Sequence, residues 1–452
     1  MVLWRCLTAF SAVFYNLFYR RKAMTKNSDN KLHIDKPWMK IDNASTLYAA
    51  ARYKDWCRTY RTAIILDHEI DKTVLQQALE DTAKRLPSFC VTLRDGAFWS
   101  YFERTDDIPT VQDEREYPYR PIQLDGTSQP CFRVLCYKNR IALEVFHSVT
   151  DGAGAGTFLS TLTRRYLELC GENIPSTDTA LDVNEPPLDK ETRDSYYDYY
   201  DPKVSAKNPK KVDVYLNENN KVKNYSRLVH GLFTVENIRS VAKKYDLTIT
   251  EYLTAVLIYT FINCEKEPIN KPISISVPID LRRRFDSSTV RNFVFMTDVS
   301  FEPKGRRDVS FGEICDDIRG KLKKKATSEY LLGCISANVS AAKNKVVRPI
   351  PYPIKKAFLK NTYKNVQQSY TAFISNGGEM VFPPEAAKHV LRAEGVLADN
   401  PYVHFGCAAV SVNGLFNFTF SSGNADTQKQ KFFFRFLAND GVNVRVESNV
   451  YE

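Results

Sequence analysis

The sequence is poor in several residue types that mark specialised proteins. Its 452 residues include only six histidines and 18 glycines. Its ten cysteines form no C-x-x-C pair and no cluster with histidine at the spacing of a zinc site. This spacing excludes the common zinc modules, so we expect no bound metal. Scattered thiols of this kind are typical of a cytoplasmic protein, in which cysteines stay reduced and are mostly buried.

The N-terminus lacks a hydrophobic segment long enough to cross a membrane. Residues 6–19 are uncharged and rich in aromatics, but a spanning helix needs about 20 residues and no small-residue cleavage site follows. Because basic residues come next, the segment 6–22 suits peripheral contact with a membrane surface. An equally good interpretation is that residues 1–23 are translated from an upstream start codon and that the protein begins at Met24. We treat residues 1–30 as an N-terminal extension.

Charge and composition exclude further classes. The formal net charge of +10 is mild for this length, and no base-reading motif or basic arm accompanies it, so we expect no nucleic-acid binding. A basic protein does suit an anionic ligand such as a phosphorylated cofactor. Hydrophobic residues make up 43% and charged residues 26% of the chain, which is typical of a soluble globular protein. We expect a monomer.

Strands, helices and hairpins are mixed along the chain, which predicts an α+β fold with two sheet-containing lobes. We place the N-terminal lobe at 31–205 and the C-terminal lobe at 206–452, with the polar segment 172–225 as their connection. The clearest elements are recognised by their periodicity, capping residues and turns. They are helices at 71–86, 157–167 and 251–263, strands at 131–137, 141–147, 273–279 and 442–446, and a hairpin of 408–412 with 415–420 around Asn413-Gly414.

One hexapeptide, His147-Ser148-Val149-Thr150-Asp151-Gly152, carries most of the functional information. Its H-x-x-x-D-G pattern is expected by chance about 0.016 times in a chain of this composition. His147 ends the strand 141–147 on its apolar, inward face. Because an imidazole can move a proton at neutral pH, His147 is the candidate general base. The small residues 153–156 let another backbone or a ligand approach the start of the next helix.

Four segments, in order, resemble the CoA-dependent acyltransferase superfamily, which includes chloramphenicol acetyltransferase, the condensation domains of peptide synthetases, the plant BAHD enzymes and bacterial alcohol acetyltransferases. They are 141–162 with the H-x-x-x-D-G motif, the helix 248–261, Val277-Pro278-Ile279-Asp280-Leu281-Arg282 with Arg291-Asn292-Phe293 beyond it, and Ser375-Asn376-Gly377-Gly378. The resemblance covers the chain from about residue 38 to its end. It implies two similar lobes, each a mixed β-sheet with flanking helices, and a tunnel at their junction that holds His147.

Departures from the family pattern narrow the subgroup. Phe146 stands where condensation domains usually carry a second histidine, the D-F-G-W-G motif of the plant enzymes is absent, and no segment resembles a carrier domain. The resemblance therefore favours a free-standing enzyme similar to the bacterial alcohol acetyltransferases. It implies acyl-CoA as co-substrate and no permanently bound cofactor. The acyl group, acetyl in the simplest case, would pass to the hydroxyl or amine of a small-molecule acceptor.

The resemblance also implies roles for individual residues. His147 would deprotonate the acceptor, which attacks the thioester directly, without an acyl-enzyme. Asp151 would point away from His147 and brace its loop through an arginine, for which Arg282 is the candidate; orientation of His147 by Asp151 in a dyad is the alternative. Gly152 would supply backbone freedom at the turn, and its N–H is a candidate for the oxyanion hole.

Two further polar residues, Ser375 and Asn376, lie in a loop that we expect near the tunnel. A donor at this place could stabilise the tetrahedral oxyanion, but an ordinary Asn-Gly-Gly turn explains the segment equally well. Two other functions also stay open. A condensation-type enzyme would take its acyl group from a carrier protein, and a catalytically silent relative would act as a binding module, against which the intact His147 and Asp151 argue.

Overall fold

The computed structural model describes residues 38–449, except for 54–55, 116–117, 119, 125, 205–211, 218–226, 399 and 425. All of them belong to the unit formed by residues 37–452. The predicted extension 1–30, with its segment 6–22, lies outside the described residues. Within them, no single helix is long and apolar enough to span a membrane, and Val235–Lys244 and Ile249–Cys264 satisfy the criterion only as a pair bent by 70°.

The described strands are numbered in chain order: β1 (Trp38–Lys40), β2 (Thr59–Leu66), β3 (Val91–Asp95), β4 (Ser100–Arg104), β5 (Gln112–Asp113), β6 (Phe132–Tyr137), β7 (Arg140–Phe146), β8 (Arg227–Thr234), β9 (Ile273–Asp280), β10 (Val294–Phe301), β11 (Ala372–Glu379), β12 (Val390–Leu397), β13 (Gly406–Val412), β14 (Leu415–Ser422) and β15 (Arg445–Ser448).

The described helices are numbered likewise: α1 (Ser45–Ala50), α2 (Lys72–Arg85), α3 (Gly152–Leu169), α4 (Asp189–Thr192), α5 (Ser195–Asp198), α6 (Val235–Lys244), α7 (Ile249–Cys264), α8 (Phe311–Ile318), α9 (Lys321–Lys325), α10 (Ser328–Lys343), α11 (Tyr352–Gln367), α12 (Pro384–Ala387) and α13 (Gln428–Asn439). A short 3-10 turn, Leu281–Arg283, follows β9.

The first large sheet has five strands in the order β12-β2-β7-β6-β5. Helices α2 and α3 pack together, and α3 also contacts β2 and β7, so that one apolar core is shared by these elements. The edge strand β12 comes from the second half of the chain and pairs antiparallel with β2, for example Ala393 with Ile64. The lobe boundary at 205/206 stays a prediction. Strand β12 lies far beyond that boundary in the sequence and nevertheless belongs to the first sheet.

The second large sheet has seven strands in the order β10-β9-β11-β13-β14-β8-β15. Strand β11 runs parallel to both its neighbours, whereas the other pairs are antiparallel, so the sheet is mixed. Helix α7 is buried along most of its length because it contacts α6, α8, α13 and β9. A smaller sheet, β1-β4-β3, completes the set. Mixed sheets with flanking helices confirm the predicted α+β class.

Several elements form where the local sequence predicted them. Asp71 caps α2 by accepting hydrogen bonds from the N–H groups of Thr73 and Val74. Thr248 and Glu251 form the expected capping box at the start of α7. Asn413 and Gly414 both have positive φ, as a two-residue hairpin turn between β13 and β14 requires. These signals succeed because each acts within a few residues of chain.

Other boundaries differ from the prediction. Helix α3 begins at Gly152 rather than near 157, so the small residues 153–156 form its first turns instead of a preceding turn. Residues 375–378 belong to the irregular end of strand β11 and not to a loop. The last strand lies at Arg445–Ser448 instead of 442–446. For the two strands a tertiary contact decides, since β11 and β15 exist only as partners of distant strands.

Candidate active site

His147 directly follows β7, the central strand of the first sheet. Its backbone N–H donates to the carbonyl of Arg58 at 2.8 Å, which extends the β2–β7 pairing by one residue. Its partly buried ring lies between two aromatic rings, that of Tyr48 on α1 at a centroid distance of 4.6 Å and that of Tyr60 on β2 at 4.7 Å. Backbone pairing and ring contacts on two sides therefore restrict the imidazole to one position.

Asn292 holds His147 from the second half of the chain. Its Nδ2 donates to the carbonyl of His147 at 2.9 Å and to Oγ of Ser45 at 3.0 Å, and its Oδ1 lies 3.2 Å from Nδ1 of His147. Because the acceptors around Nδ2 define the orientation of the amide, Oδ1 is the atom turned to the imidazole. Nδ1 then carries the ring hydrogen and donates it. The lone pair is left on Nε2, as a general base requires.

The electrostatic surroundings keep His147 neutral. Burial, followed by the positive charge of Arg58, lowers the pKa of His147 to about 4, against opposing contributions from its own carbonyl, Asp151 and Asn292. The Arg58 guanidinium lies over the Tyr48 ring at 5.4 Å and donates to the hydroxyl of Tyr363 at 2.9 Å. Among the described residues, no carboxylate pairs with Arg58. Within that part of the chain, its charge therefore acts on the imidazole without a paired carboxylate to offset it.

Asp151 is almost fully buried, with 1% of its surface exposed. Its Oδ2 lies 3.0 Å from Nη1 of Arg282 and accepts a hydrogen bond from the N–H of Phe293 at 2.7 Å. Its Oδ1 caps α3 by accepting from the N–H of Gly154 at 3.1 Å. These bonds confirm the predicted pairing with Arg282. Within the described part of the chain, the carboxylate makes no hydrogen bond to His147, and its role as a brace stays a prediction.

The glycine that the turn requires is Gly154 and not Gly152. Gly152 opens α3 without a positive φ, and a Cβ added there would meet no atom within 4 Å, so the predicted need for backbone freedom at this residue is wrong. A Cβ on Gly154 would lie 2.0 Å from the carbonyl oxygen of Val290 and 2.2 Å from Oγ1 of Thr150. The close approach of another backbone that was expected at the small residues 153–156 thus occurs at Gly154, against the segment that leads to Asn292.

Ser375 and Asn376 lie on β11 and make no hydrogen bond to His147 in the described structure. Nδ2 of Asn376 donates to Oγ1 of Thr250, and its Oδ1 accepts from the N–H of Gly378 at 3.0 Å. Strand β11 does reach the surroundings of the site, because the Arg58 guanidinium lies 5.6 Å from the ring of Phe373. A role of Ser375 and Asn376 toward the oxyanion stays a prediction.

The structure adds residues that motif reading did not assign. Asp42 and Ser45 stand behind Asn292: Oδ1 of Asp42 accepts from the Ser45 N–H at 2.8 Å, and Nη2 of Arg291 lies 3.7 Å from Oδ2. Burial raises the pKa of Asp42, against the opposing effect of Arg291 and the Ser45 hydrogen bonds. Asn292 belongs to one of the segments that resemble the acyltransferase superfamily, so the sequence did contain a signal for it. Tyr48, Arg58 and Asp42 carried no motif because only folding brings them to His147.

No protein-family model and no curated protein matches the sequence. Solved structures do share its fold at low sequence identity. TRI101 from F. sporotrichioides, complexed with coenzyme A and T-2, superposes with a TM-score of 0.60 at 10% identity, covering 90% of this chain and 99% of that one. TRI3 trichothecene 15-O-acetyltransferase from Fusarium sporotrichioides gives 0.57 at 10% identity, covering 92% and 99%.

A third solved structure comes from a bacterium. Polyketide synthase associated protein 5 from Mycobacterium tuberculosis gives a TM-score of 0.56 at 12% identity, covering 88% of this chain and 96% of that one. Because the matches extend over nearly the whole length of both chains, the likeness concerns the complete two-lobed architecture. The chain has the α+β fold of these proteins, which confirms the predicted fold class.

Proposed function

We propose that this protein is an acyltransferase that moves an acyl group, acetyl in the simplest case, from acyl-CoA to the hydroxyl or amine of a small acceptor. The observation that carries the proposal is the neutral His147, whose Nε2 is available as a base because Nδ1 is bound by Asn292. The shared fold supports it, since TRI3 is named as an acetyltransferase and TRI101 was solved with coenzyme A. Fold alone does not assign chemistry, so the histidine carries the argument.

The reaction follows from the position of the lone pair. Nε2 of His147 accepts the proton of the acceptor O–H or N–H as that oxygen or nitrogen attacks the thioester carbonyl. A carbon–oxygen or carbon–nitrogen bond forms, the tetrahedral intermediate collapses, and the carbon–sulfur bond breaks. The departing thiolate takes the proton from Nε2, which restores neutral His147. No bond forms between the acyl group and the protein, because nucleophile and activated thioester meet directly.

Asp151 acts on His147 through one short segment of chain. Asp151 binds the N–H of Phe293, and the preceding residue, Asn292, binds His147. Arg282 holds the other side of the same carboxylate oxygen and also donates to the carbonyl of Thr289 at 2.7 Å. The H-x-x-x-D-G loop and the segment that orients its histidine are therefore tied together at one buried carboxylate. We assign Asp151 a positioning role.

A basic groove supports CoA over a carrier protein as the acyl donor. The groove has a volume of about 310 Å³ and is lined by Lys321, Lys324, Lys325, Asp298 and Ser300. Asp298 and Ser300 lie on β10, which begins two residues after Asn292. A strand rises about 3.3 Å per residue, so Asp298 lies at most about 20 Å from Asn292. The phosphopantetheine arm of CoA has a comparable length, which would bring the nucleotide phosphates to the lysines.

The experiment that tests the proposal follows thiol release. Purified protein is mixed with acetyl-CoA and a panel of alcohols and amines, and free CoA is measured with a chromogenic thiol reagent while the acylated product is identified by mass spectrometry. We expect acceptor-dependent thiol release that His147→Gln abolishes. The matched control is His230→Gln, which removes an imidazole bonded to Asn417 in the second sheet. Equal turnover by wild type and His147→Gln would overturn the proposal.

A further inference from the structure

A second cluster of chemically active side chains lies apart from His147 and shares no residue with that site. It consists of Asp67, His68 and His389, whose ligand atoms all lie within 4.8 Å of one another. Nδ1 of His68 lies 2.6 Å from Oδ1 of Asp67, and Nδ1 of His389 lies 3.0 Å from Oδ2. One carboxylate thus faces two imidazole nitrogens.

The backbone holds these residues together independently of their side chains. Asp67 and His68 follow β2, and His389 directly precedes β12, so the β2–β12 pairing places the two segments side by side. The N–H of Asp67 donates to the carbonyl of His389 at 3.0 Å. The ring of His68 is stacked on Tyr166 at a centroid distance of 6.0 Å. A ligand that binds here would therefore meet side chains whose positions are already largely determined.

From this arrangement we propose a Zn²⁺ site formed by Asp67, His68 and His389. Two imidazole nitrogens and a carboxylate oxygen are a ligand set that zinc prefers, with a fourth position for water. Bonds of about 2.0–2.1 Å to a tetrahedral ion place neighbouring ligand atoms about 3.3 Å apart. The carboxylate–His389 distances of 3.0 and 3.3 Å already match this spacing, and the contact with His68 needs to open by less than 1 Å.

A fourth residue, Glu172, lies outside the proposed ligand set and close to one of the ligands, His389. Its Oε1 lies 3.3 Å from Nε2 of His389, on the side of the ring opposite the Asp67 carboxylate. When zinc replaces the hydrogen on Nδ1, the neutral imidazole carries its hydrogen on Nε2, where Glu172 can accept it. Such an outer carboxylate orients a zinc-bound histidine and increases its basicity. Glu172 follows α3, so the ends of β2 and α3 and the start of β12 meet here.

Bound zinc would fasten β12, the strand supplied by the second half of the chain, to β2 and to the end of α3. The side chains are 18% to 38% exposed, so an ion can reach them from solvent. Sequence spacing could not indicate the site, because Asp67 and His389 are 322 residues apart. The proposal does not depend on the proposed acyl transfer.

The test uses the untagged full chain after treatment with a chelator. We expect isothermal titration with Zn²⁺ to give one site per chain and the midpoint of thermal unfolding to rise with zinc. The double variant His68→Gln/His389→Gln should lose that site and the zinc-dependent thermal shift. Glu172→Gln keeps all three ligands and should weaken zinc binding by about 10- to 100-fold.

The control variants are His147→Gln and His230→Gln, which remove histidines elsewhere and should bind zinc like the wild type. Absence of a stoichiometric site in the wild type, or a site that persists unchanged in the double variant, would overturn the proposal. Since folding of each variant is checked by its thermal transition without zinc, a lost site is separable from a lost fold. Activity of the zinc-free protein addresses the acyltransferase proposal separately.

Discussion

Asn292 contacts His147 twice, with Oδ1 3.2 Å from Nδ1 of the ring and Nδ2 donating to its carbonyl at 2.9 Å. One amide thus binds both the side chain and the backbone of the proposed base. Asn292 is fully buried and its Nδ2 also meets Ser45, so the amide has no freedom to exchange its two ends. The consequence is a single tautomer, with the lone pair on Nε2.

The first prediction concerns this contact. Asn292→Ala should lower kcat by about 10- to 100-fold, because a hydrogen bond to the imidazolium that forms during transfer is worth about 1.5–3 kcal/mol. KM should change less, since Asn292 is not proposed to touch substrate. Nitrogen NMR shifts of His147 should report a mixture of tautomers in the variant and hydrogen on Nδ1 in the wild type. An unchanged kcat and tautomer would contradict the positioning role.

The second prediction is a pH profile. Because the pKa of His147 is lowered to about 4, kcat/KM should stay level from neutral pH downward and fall only as pH drops through about 4, where Nε2 becomes protonated. Arg58→Met removes a positive charge that disfavours the imidazolium, so the acidic limb should move upward in pH, toward the ordinary value of about 6.5. The control Arg239→Met, on the exposed side of α6, should leave the limb in place. A limb near 6.5 in the wild type would contradict the lowered pKa.

The third prediction separates a brace from a dyad. Asp151→Ala removes one partner of a buried ion pair and should cost about 3–5 kcal/mol in the free energy of unfolding, measured with denaturant. Asp151→Asn should also lose stability, because the single oxygen of an amide cannot accept the hydrogen bonds that Arg282, Phe293 and Gly154 donate to the two carboxylate oxygens. The exposed Asp286→Asn serves as control. An inactive Asp151→Asn protein of normal stability would favour the dyad instead.

The fourth prediction compares two glycines of α3. Gly154→Ala should destabilise the fold by about 1–3 kcal/mol, because its Cβ would collide with the carbonyl of Val290 and with Thr150. A Cβ added at Gly156, in the same helix, meets no atom within 4 Å. Gly156→Ala should therefore stabilise the fold by about 0.5–1 kcal/mol, because alanine has a higher helix propensity than glycine. Thermal unfolding of both proteins checks the pair. Equal effects of the two substitutions would show that close approach at Gly154 is unimportant.

The fifth prediction tests the acyl donor. Lys324 is exposed in the basic groove, so Lys324→Glu should raise KM for acetyl-CoA by roughly fivefold, equivalent to about 1 kcal/mol for an exposed charge contact. Acetyl-pantetheine lacks the nucleotide, and its KM should not change. Lys431→Glu, on α13, is the control for a general loss of positive charge. A parallel rise in KM for both donors would argue against a nucleotide in the groove.

Features that depend on neighbouring residues were predictable from the chain. The cap at Asp71, the capping box of Thr248 and Glu251 and the Asn413-Gly414 turn act over three or four residues, and all three formed as expected. The pairing of Asp151 with Arg282 was implied by a family resemblance and is present. The role of Gly152 was misjudged because helix α3 begins there without a positive φ. The segment 375–378 was misjudged because the partners of β11 come from distant parts of the chain.

By itself, the sequence determined the α+β class and the amphipathic elements, and it singled out His147 as the candidate for proton transfer. The tertiary structure alone decided the surroundings of this proposed base: the rings of Tyr48 and Tyr60, the charge of Arg58 and the amide of Asn292. The physical reason is separation along the chain. Periodicity and caps are local, whereas a pKa and a tautomer depend on burial and on atoms brought together from both lobes.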